Sequence, residues 1–400
     1  MGKITCLVNM GLAFLKYPFD KGRFKNRKIW LIGGHSGDIY NDNAKFVYEY
    51  MLENHPEVEI YWVANADNPV FSQIPGKKLL RGSVENYLYY YNAEVVIFSH
   101  SPSADIAPYN FIVPVLNRFH KKVFKVFLNH GTISFKKRKP MNAMFSKAID
   151  DLLKSYNLVT AGSEFEKGIM VDEWQMSEEV VEVTGIARYD NLVEVKPNID
   201  EEKPRTVLYT PTWRDWIKFD GTKFTETDYF KNIMLLLNDE GLNEVLEENN
   251  VYIKIFMHHL MHEFLDDIKE NINGSRIIFL DRDTDLASEI KSADVNITDY
   301  SSTAIDFLLM DKPILFYQFD LEEYEEKVGS YIDLKSEMFG YLSYNSKEAT
   351  EVLIDIIKGG FKVSENQVRQ KERYIKFNDG KNRERIFNCI ENKIEERNNL

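Results

Sequence analysis

The sequence predicts an α/β protein made of two doubly wound domains that face each other across a cleft. Strand-like apolar runs alternate with helix-like segments from one end of the chain to the other, which is typical of parallel sheets with crossover helices. A length of 400 residues exceeds one ordinary core, and an apolar fraction of 44% is enough to fill two. Both halves are therefore expected to fold in the same style.

Ten short apolar runs are predicted to be strands. Those of the first half lie at 28–34, 58–64, 93–100, 122–130 and 158–163, and those of the second half at 205–212, 251–259, 276–281, 293–299 and 312–318. Apolar residues at helical spacing predict helices over 43–55, 147–157, 229–249 and 285–293. Strands and helices therefore alternate, as a doubly wound sheet requires.

The predicted domain boundaries follow from changes in composition. Residues 194–204 combine two prolines with charge and show no periodicity, so they are expected to form the linker. An N-terminal α/β domain is then expected over 29–193 and a C-terminal α/β domain over 205–363. The charged residues of 364–400 are expected to form a helical tail, and 1–28 a separate amphipathic segment.

The segment 1–28 combines apolar and basic residues. Its apolar run, 4–15, is too short to cross a bilayer, which takes ~20 residues. Seven lysines and arginines stand against one acid in this segment, although the whole chain is acidic. The combination predicts a helix that lies on an anionic membrane surface. The alternative is a helix that packs on the core, followed by a solvated loop.

The overall charge and the cysteines limit the class of protein. A formal net charge of −13 argues against a general nucleic-acid binder, because such proteins need a basic face. Cys6 and Cys389 lie at opposite ends of the chain and show no zinc-site spacing. No metal or other cofactor is therefore expected, and the cysteine usage fits a reducing, cytoplasmic setting.

The stretch NITDYSSTAIDF (296–307) places hydroxyls where a predicted strand becomes a helix. Asp299 ends the strand, and Ser301, Ser302 and Thr303 follow it. This junction lies at the carboxyl edge of a doubly wound sheet, where ligands bind and where a helix start offers N–H groups to an anion. Helix capping is the alternative, but capping needs only one hydroxyl. The surplus predicts a bound phosphate.

A histidine follows another predicted strand, in LNHGTIS. His130 and Gly131 end that strand, Thr132 comes next, and the basic run KKRK occupies 136–139. An imidazole with a pKa near 6.5 can take a proton from a hydroxyl, and the lysines would attract phosphates. Packing alone is the alternative role. His130 is therefore a candidate general base.

A second group of histidines follows the strand at 251–259. His258, His259 and His262 lie close together, but the HExxH pattern of many zinc sites is absent. One of them is expected to contact phosphate or to act as a general acid, in preference to binding a metal. The acid pairs of LDRDTDL resemble a metal-binding DxD pattern, which is too common in loops to carry a metal assignment.

An arginine follows the strand at 205–212, in the stretch YTPTWRDW. Arg214 could clamp a phosphate bidentately, because its guanidinium matches the geometry of two oxygens. The neighbouring Trp213 is expected to fill the core. Arg214 is therefore grouped with Ser301, Ser302 and Thr303 as a candidate donor-phosphate ligand.

Several of these stretches, taken in order, carry a resemblance to one family. NHGTISFKK, TAGSEFEK, VTGIARYDNL, LYTPTWRD, MHHLM and the long block ADVNITDYSSTAIDFLLMDKPILFYQFDLEEYEEKVGSYID resemble the CDP-glycerol glycerophosphotransferase family. This family includes wall teichoic acid primases and polymerases and related capsule polymer transferases. The resemblance covers about residues 30–335. It implies Rossmann-like domains in a GT-B-like arrangement, in a peripheral enzyme at the cytoplasmic face of the cell membrane.

The resemblance also implies a reaction. An alditol phosphate, with glycerol phosphate as the first candidate, would pass from a CDP-alditol to a hydroxyl of a lipid-linked polymer or disaccharide acceptor, and CMP would leave. The catalytic histidines fall on His130 and His259, with His258 as a competitor for the second role. The hydroxyls that bind the donor phosphates fall on Ser301 and Ser302.

The family's PRND-like stretch reads Ala187-Arg188-Tyr189-Asp190, which adds Arg188 to the candidate cleft residues. The other members of that group are Gly131, Thr132, Asp299 and His258. The resemblance places the acceptor side in the N-terminal domain and the nucleotide donor in the C-terminal domain. Two alternatives stay open: a GT-B nucleotide-sugar glycosyltransferase of cell-surface polysaccharide synthesis, and a scaffold that has lost the chemistry.

Overall fold

A computed structural model describes residues 2–65, 69–109, 123–129, 131–138, 150–193, 203–218, 223–282 and 284–399, and these form two compact units. The first unit comprises Met1–Thr132, Pro140–Asp190 and Lys376–Leu400, and the second comprises Ile133–Lys139 and Asn191–Ile375. Most of the expected linker, 194–204, lies outside the described residues. The domain boundaries stay a prediction.

The first unit is built on a seven-stranded parallel sheet in the order β3-β2-β1-β4-β5-β6-β7. Its strands are β1 Ile29–Gly33, β2 Glu59–Ala64, β3 Lys77–Leu80, β4 Val95–Phe98, β5 Phe124–Phe127, β6 Leu158–Ala161 and β7 Val181–Val183. The strand order reverses at β1, which lies between β2 and β4. In a doubly wound sheet this reversal opens the crevice in which ligands bind.

The second unit repeats this plan with a six-stranded parallel sheet in the order β10-β9-β8-β11-β12-β13. Its strands are β8 Arg205–Thr210, β9 Val251–Ile255, β10 Ile277–Phe279, β11 Val295–Thr298, β12 Ile314–Tyr317 and β13 Tyr341–Ser343. Here the order reverses at β8, between β9 and β11. The central strands are buried on both faces, as expected when helices cover both sides of a sheet.

The α-helices of the described residues follow the strands in the alternation that the sequence predicts. They are α1 Lys3–Phe24, α2 Asp42–Asn54, α3 Val84–Asn92, α4 Glu164–Asp172, α5 Asp190–Val193, α6 Asp228–Leu237, α7 Glu240–Glu248, α8 Leu265–Lys269, α9 Leu286–Ser292, α10 Thr303–Leu309, α11 Leu321–Lys327, α12 Ser346–Lys358, α13 Glu365–Tyr374 and α14 Asn382–Asn399. The predicted fold class, two doubly wound α/β units, is confirmed.

One predicted helix is divided in two. The helix expected over 229–249 ends at Leu237 and a new one begins at Glu240. The side chain of Asp239 accepts a hydrogen bond from the backbone N–H of Leu242 at 2.8 Å, which caps the second helix. The capping side chain of Asp239 therefore sets the boundary between the two helices, within a stretch whose apolar spacing predicts one helix.

The last helix, α14, is anchored on the first unit by a buried carboxylate. Asp190 accepts hydrogen bonds from the backbone N–H groups of Asn382 and Arg383, each at 2.9 Å. The side chain of Arg383 also donates to Asp190, at 3.1 Å. This anchors the start of α14 on the first unit.

Candidate active site

The hydroxyl-rich loop lies at the carboxyl edge of the second sheet, beside the point where the strand order reverses. β8 ends at Thr210 and its neighbour β11 ends at Thr298, and the two residues are paired in register. The hydroxyl of Thr298 donates to the carbonyl oxygen of Thr210 at 2.7 Å. The chain then runs through 299–302 into α10. The loop therefore lies where doubly wound sheets bind their ligands.

The three hydroxyls of this loop have different roles. The Oγ of Ser301 accepts hydrogen bonds from the backbone N–H and the hydroxyl of Thr303, at 3.3 and 3.0 Å. The Oγ1 atoms of Thr303 and Thr210 lie 3.0 Å apart. Ser302, at the N-cap position of α10, makes no side-chain capping bond. Capping therefore does not explain the hydroxyl of Ser302, which is half-buried.

Asp299 ties the ends of β8 and β11 together and is buried. Its carboxylate accepts from the backbone N–H of Thr212 at 3.0 Å, from the backbone N–H of Tyr300 at 2.6 Å, and from the hydroxyl of Thr212. A guanidinium N–H of Arg214 donates to it at 2.8 Å. The carboxylate is therefore saturated from within and fixes the backbone of the loop.

Arg214 is held between two carboxylates and is 1% exposed. Its Nε and Nη2 donate to the two oxygens of Asp320 at 2.6 and 3.0 Å, Nη2 donates also to Asp299, and Nη1 donates to the carbonyl oxygen of Thr212 at 2.8 Å. Burial by itself lowers the pKa of Arg214, but the charges of Asp299 and Asp320 raise it well above its usual range. The side chain is a permanent, buried cation.

This geometry changes how Arg214 can contribute. A direct clamp on a phosphate needs an accessible guanidinium with donors to spare, and four of its hydrogen bonds go to Asp299, Asp320 and Thr212. The sequence does not reveal this, because the partner Asp320 lies over a hundred residues away. We therefore treat Arg214 as a residue that positions the loop of Asp299.

Stacked rings connect the same loop to the segment 133–138. Tyr300 stacks on Tyr324 with ring centroids 3.6 Å apart, and the hydroxyl of Tyr324 donates to the carbonyl oxygen of Phe135 at 3.1 Å. The carbonyl oxygen of Ser134 accepts from the backbone N–H of Tyr331 at 3.0 Å. The segment that follows the HGT motif is thus part of the second unit.

A cavity of about 920 Å³ borders Arg214 within the second unit. Five of its lining side chains carry carboxylates: Glu226, Asp228, Asp320, Glu322 and Glu323. Trp216 and Tyr229 add aromatic surface. Carboxylates repel phosphates but accept hydrogen bonds from hydroxyls. The cavity therefore suits the alcohol end of a ligand better than its phosphate end.

The candidate residues around the HGT motif lie in the first unit, at the end of β5. His130 lies outside the described residues. On either side of it, the side-chain amide of Asn129 donates to the carbonyl oxygen of Gly131 at 2.6 Å, and the hydroxyls of Thr132 and Tyr189 lie 2.9 Å apart. Thr132 is buried. The structure thus brings Gly131 and Thr132 beside the stretch that contains Arg188.

Arg188 is connected to the HGT loop by Asn43. The guanidinium of Arg188 donates to Asp42 at 3.0 Å, and its backbone N–H donates to the side-chain oxygen of Asn43 at 3.2 Å. The amide of the buried Asn43 donates in turn to the carbonyl oxygen of Asn129 at 3.0 Å. The start of α2, the end of β5 and the 187–189 turn therefore meet at one edge.

The second histidine group follows β9. His258 is half-buried, and its carbonyl oxygen accepts from the backbone N–H of Met261 at 2.7 Å. His259 begins a 3₁₀ helix, His259–Phe264, and its side chain lies outside the described residues. The assignment of the second catalytic histidine to His259, with His258 as competitor, stays a prediction.

The structure adds residues that the sequence motifs did not single out. His35 follows β1 and His100 follows β4, and their ring centroids lie 5.1 Å apart. The buried Asp105 lies beside them, with Oδ1 3.4 Å from Nδ1 of His100. The glycines around His35 in GGHSG, at the end of the first predicted strand, are the signal that could have indicated this loop.

The sequence profile of the family described as CDP-Glycerol:Poly(glycerophosphate) glycerophosphotransferase matches residues 15–392. The chain belongs to this family.

Two curated relatives show how far the likeness extends. The chain is 25% identical over 380 residues to the minor teichoic acid biosynthesis protein GgaB of Bacillus subtilis (strain 168), covering 92% of this chain and 40% of GgaB. It is 22% identical over 393 residues to a teichoic acid glycerol-phosphate transferase of Staphylococcus aureus, covering 92% and 94%. The chain spans about half the length of GgaB and of two other curated relatives that it matches.

Solved structures of the wall teichoic acid polymerase TagF share the fold. One of them superposes with a TM-score of 0.70 at 19% sequence identity, over 98% of this chain and 99% of that chain. This likeness concerns the fold. The described residues contain no helix long and apolar enough to cross a membrane. They also contain no cluster of three or more metal-ligating side chains.

Proposed function

We propose that this family member transfers an alditol phosphate, with glycerol phosphate as the first candidate, from a CDP-alditol to a hydroxyl of a teichoic acid polymer or of its lipid-linked precursor. The observation that carries the proposal is the double-serine loop at the reversal point of the second sheet. The family membership and the names of the relatives give the substrate class.

The donor diphosphate is assigned to the loop 301–303. The N–H groups at the start of α10 and the hydroxyl of Ser302 supply donors to an anion. Asp299, which precedes the loop, accepts hydrogen bonds from Thr212, Tyr300 and Arg214, so its charge is offset by a buried guanidinium. A phosphate above the loop is therefore not opposed by an uncompensated acid.

The alcohol end of the donor is assigned to the neighbouring carboxylate-lined cavity. Its volume of about 920 Å³ and its acidic and aromatic lining suit a polyol and disfavour a second phosphate. This orients the donor, because the phosphates then remain at Ser301 and Ser302 while the hydroxyls of the alditol lie among the carboxylates.

The proposed reaction is an in-line phosphoryl transfer. His130 takes the proton of the acceptor hydroxyl, and the oxygen attacks the phosphorus that carries the alditol. The bridging P–O bond breaks, and CMP leaves with the bonding electrons. Positioning and electrostatic stabilisation supply most of the catalysis in such reactions. His259, or His258 in its place, is assigned to the developing charge on the phosphoryl oxygens.

The base is tested by His130→Ala, with His55→Gln as the control. His55 lies in the same unit, stacked on Phe387 with ring centroids 3.4 Å apart. Removal of a general base typically costs ~10²–10⁴-fold in rate. CMP release from CDP-glycerol should fall by that factor in His130→Ala and stay near wild type in His55→Gln. Near-wild-type turnover of His130→Ala would remove this residue from the mechanism.

The donor class is tested with a panel of CDP-glycerol, CDP-ribitol, UDP-sugars and GDP-sugars. A phosphotransferase adds a new phosphate to the acceptor together with the alditol, whereas a glycosyltransferase adds a sugar without phosphate. Mass spectrometry of the product separates these results. A product that gains a sugar and no phosphate would replace the proposal by the glycosyltransferase alternative.

A membrane location is proposed from the surface of α1. Five large apolar side chains at helical spacing form one stripe and are between 44% and 89% exposed: Ile4, Val8, Leu12, Leu15 and Phe19. The opposite side of the helix buries Cys6, Met10 and Ala13. Lys3, Lys16 and Lys21 are also exposed on this helix. The helix therefore packs on the core by one side and offers an apolar side, on a helix that carries exposed lysines, to an anionic bilayer.

The membrane proposal is tested by sedimentation of the full chain with vesicles of phosphatidylglycerol and phosphatidylcholine. Leu15→Ser combined with Phe19→Ser should release the protein into the supernatant, because both side chains lie on the exposed stripe. Val368→Ser is the control, since Val368 is 61% exposed on α13. Equal pelleting of all variants would refute a role for α1.

A further inference from the structure

We propose that His35 and His100 form a phosphate-binding subsite at the reversal point of the first sheet, and that it holds a phosphodiester of the acceptor. This inference rests on the proposed function for the identity of the ligand. The subsite itself is argued from the position of the two rings, from the scaffold behind them and from the charges around them.

The position of the two histidines is the one at which a doubly wound sheet binds ligands. β1 and β4 are adjacent, with Gly33 paired to Phe98, and the strand order reverses at β1. His35 lies two residues after the end of β1, and His100 lies two residues after the end of β4. Their ring centroids lie 5.1 Å apart, so they can reach two oxygens of one phosphate group.

A single buried carboxylate fixes both loops. Asp105 is fully buried. Its Oδ1 accepts from the backbone N–H of Ser36 at 3.0 Å, and its Oδ2 accepts from the backbone N–H groups of Ser99 and His100 at 3.0 and 2.7 Å. The loop after β1 and the loop after β4 are therefore locked to each other.

Glycine is required where these loops approach each other. A Cβ atom on Gly33 would lie 2.6 Å from the carbonyl oxygen of Asp105, which is closer than real Cβ contacts allow. A larger residue at Gly33 would separate the two loops and, with them, the two histidines. The close contact of Gly33 with Asp105 therefore forms part of the scaffold.

The backbone that presents His35 adopts a rare conformation. His35, Ser36 and Gly37 have φ values of 47°, 56° and 83°, in the left-handed region. Two of the three are not glycine. Residues other than glycine keep this conformation only where the surrounding structure imposes it, and such positions cluster at functional sites. The hydrogen bond from Ser36 to Asp105 is the local restraint.

The electrostatics favour an anion beside His100. Burial by itself lowers the pKa of His100, but its contact with the charged Asp105 outweighs this and raises the pKa above its usual value. The Nδ1 edge faces Asp105, while the side chain is 34% exposed. The imidazolium that results can donate to a phosphate oxygen from its other edge.

The other charged groups around the pair are themselves compensated. Asp42 acts on His100 but is bound to Arg188 at 3.0 Å. Asp38 accepts from the side chain of Asn65 at 2.8 Å, and Arg81 lies within the field of Asp38 and Asp105. The carboxylates of this edge are therefore paired with cations or hydrogen-bond donors.

The ligand chemistry is that of a phosphate attached to an alcohol. Two sources share it: a phosphodiester of the polymer chain and the diphosphate of a lipid-linked precursor. Calorimetric titration of the full chain with glycerophosphoglycerol and with inorganic pyrophosphate distinguishes them. Tighter binding of the first assigns the subsite to the polymer. Tighter binding of pyrophosphate that depends on His35 and His100 would replace the proposed phosphodiester by the precursor's diphosphate, whereas pyrophosphate binding that does not depend on them belongs to the loop 301–303.

The test variant is the double substitution His35→Asn and His100→Gln, because asparagine tolerates the left-handed backbone at 35. Glycerophosphoglycerol should bind ~10–100-fold more weakly to it, as expected for the loss of charge-assisted hydrogen bonds. His55→Gln is the control and should bind like wild type. Unchanged affinity in a double variant that melts like wild type would overturn the subsite.

The pH dependence of phosphate binding gives a second test of the subsite. Phosphate affinity should fall as the pH rises from 6 to 8 in the wild type, because the imidazolium of His100 loses its proton, and it should change little in the double variant. Equal pH dependence of both proteins would contradict the proposal. In turnover assays, the double variant should have a higher KM for the acceptor than the wild type and the same KM for the donor.

Failure of the proposed function would look different. If no acceptor supported CMP release but glycerophosphoglycerol still bound through the two histidines, the subsite would stand and the reaction would not. If turnover were normal and the binding of glycerophosphoglycerol did not depend on His35 and His100, the reaction would stand and the subsite would be lost.

Discussion

The carboxyl edges of the two sheets are built alike but with different cations. Each has a buried aspartate that accepts several backbone N–H groups and ties two strand ends together, Asp105 in the first unit and Asp299 in the second. The partner of Asp299 is the guanidinium of Arg214, which is 1% exposed. The partner of Asp105 is the imidazole of His100, which is partly exposed and titratable.

The difference between these two cations gives the second edge a fixed charge and the first edge a titratable one. A guanidinium stays charged at all physiological pH values, so the ion pairs that hold the second edge do not change with pH in that range. An imidazole gains or loses its charge near neutrality, so the first edge can change its affinity for an anion. A buried aspartate alone therefore does not define a site, because the cation paired with it decides whether the charge of that edge changes with pH.

The largest expected effect comes from removal of the permanent cation. Arg214→Met leaves the carboxylates of Asp299 and Asp320 buried without their partner, and breaking a buried ion pair from one side costs about 3–5 kcal/mol. The free energy of unfolding, measured with urea, should fall by that amount. Lys231→Met, which breaks an exposed pair with Asp228, is the control and should change it by less than about 0.5 kcal/mol.

If Arg214→Met unfolds like the control, the buried network does not hold the second edge. The description of the second edge as a fixed scaffold would then be wrong.

A medium effect is expected from Asp105→Asn, about 1–3 kcal/mol, because one charged acceptor of three backbone N–H groups becomes neutral. The pKa of His100 is raised in the fold, so its pairing stabilises the protein fully below about pH 6.5 and is lost as the pH rises through the folded value. The pKa of Asp105 is lowered by His100 and by backbone N–H groups, against burial, which by itself raises it.

The stabilisation by Asp105 is therefore present above about pH 4 and lost as the pH falls through its folded value. The difference in unfolding free energy between wild type and Asp105→Asn should be greatest between about pH 4 and 6.5 and smaller at pH 8. The loss caused by Arg214→Met should stay constant from pH 6 to 8. A pH-independent effect of Asp105→Asn would show that the first edge is as fixed as the second.

The smallest effect concerns the segment 133–138. Tyr324→Phe keeps the ring stacked on Tyr300 and removes one hydrogen bond to Phe135, which costs about 0.5–1.5 kcal/mol. The backbone N–H of Lys137, bonded to the carbonyl oxygen of Gly329, should exchange with deuterium faster in this variant. Tyr344→Phe, on a ring that is 41% exposed, is the control. Equal exchange in both variants would show that the ring does not hold the segment.

The central strands could be predicted from the sequence, whereas three of the four edge strands could not. All ten predicted strands are present, and the central strands β8, β11 and β12 are buried on both faces. The three strands that were missed, β3, β7 and β13, lie at sheet edges and have only three or four residues. Edge strands are exposed on one side, so their composition carries little apolar signal.

The candidate site was predictable in its motifs and not in its contacts. The position of Ser301 and Ser302 at a strand-to-helix junction followed from their spacing. The enclosure of Arg214 did not, because it depends on Asp320, which is distant in sequence. His35 and His100 were missed for the same reason: they become neighbours only when β1 and β4 pair.

The central claim is that the double-serine loop binds the donor diphosphate, and the dissociation constant of CDP-glycerol tests it most directly. Titration calorimetry should show ~10–100-fold weaker binding to Ser301→Ala combined with Ser302→Ala, as expected for lost hydrogen bonds to a charged group. Ser292→Ala, at an exposed serine that bonds to Glu289, should bind like wild type. Equal dissociation constants for wild type and the double variant would contradict the assignment of the phosphates to this loop.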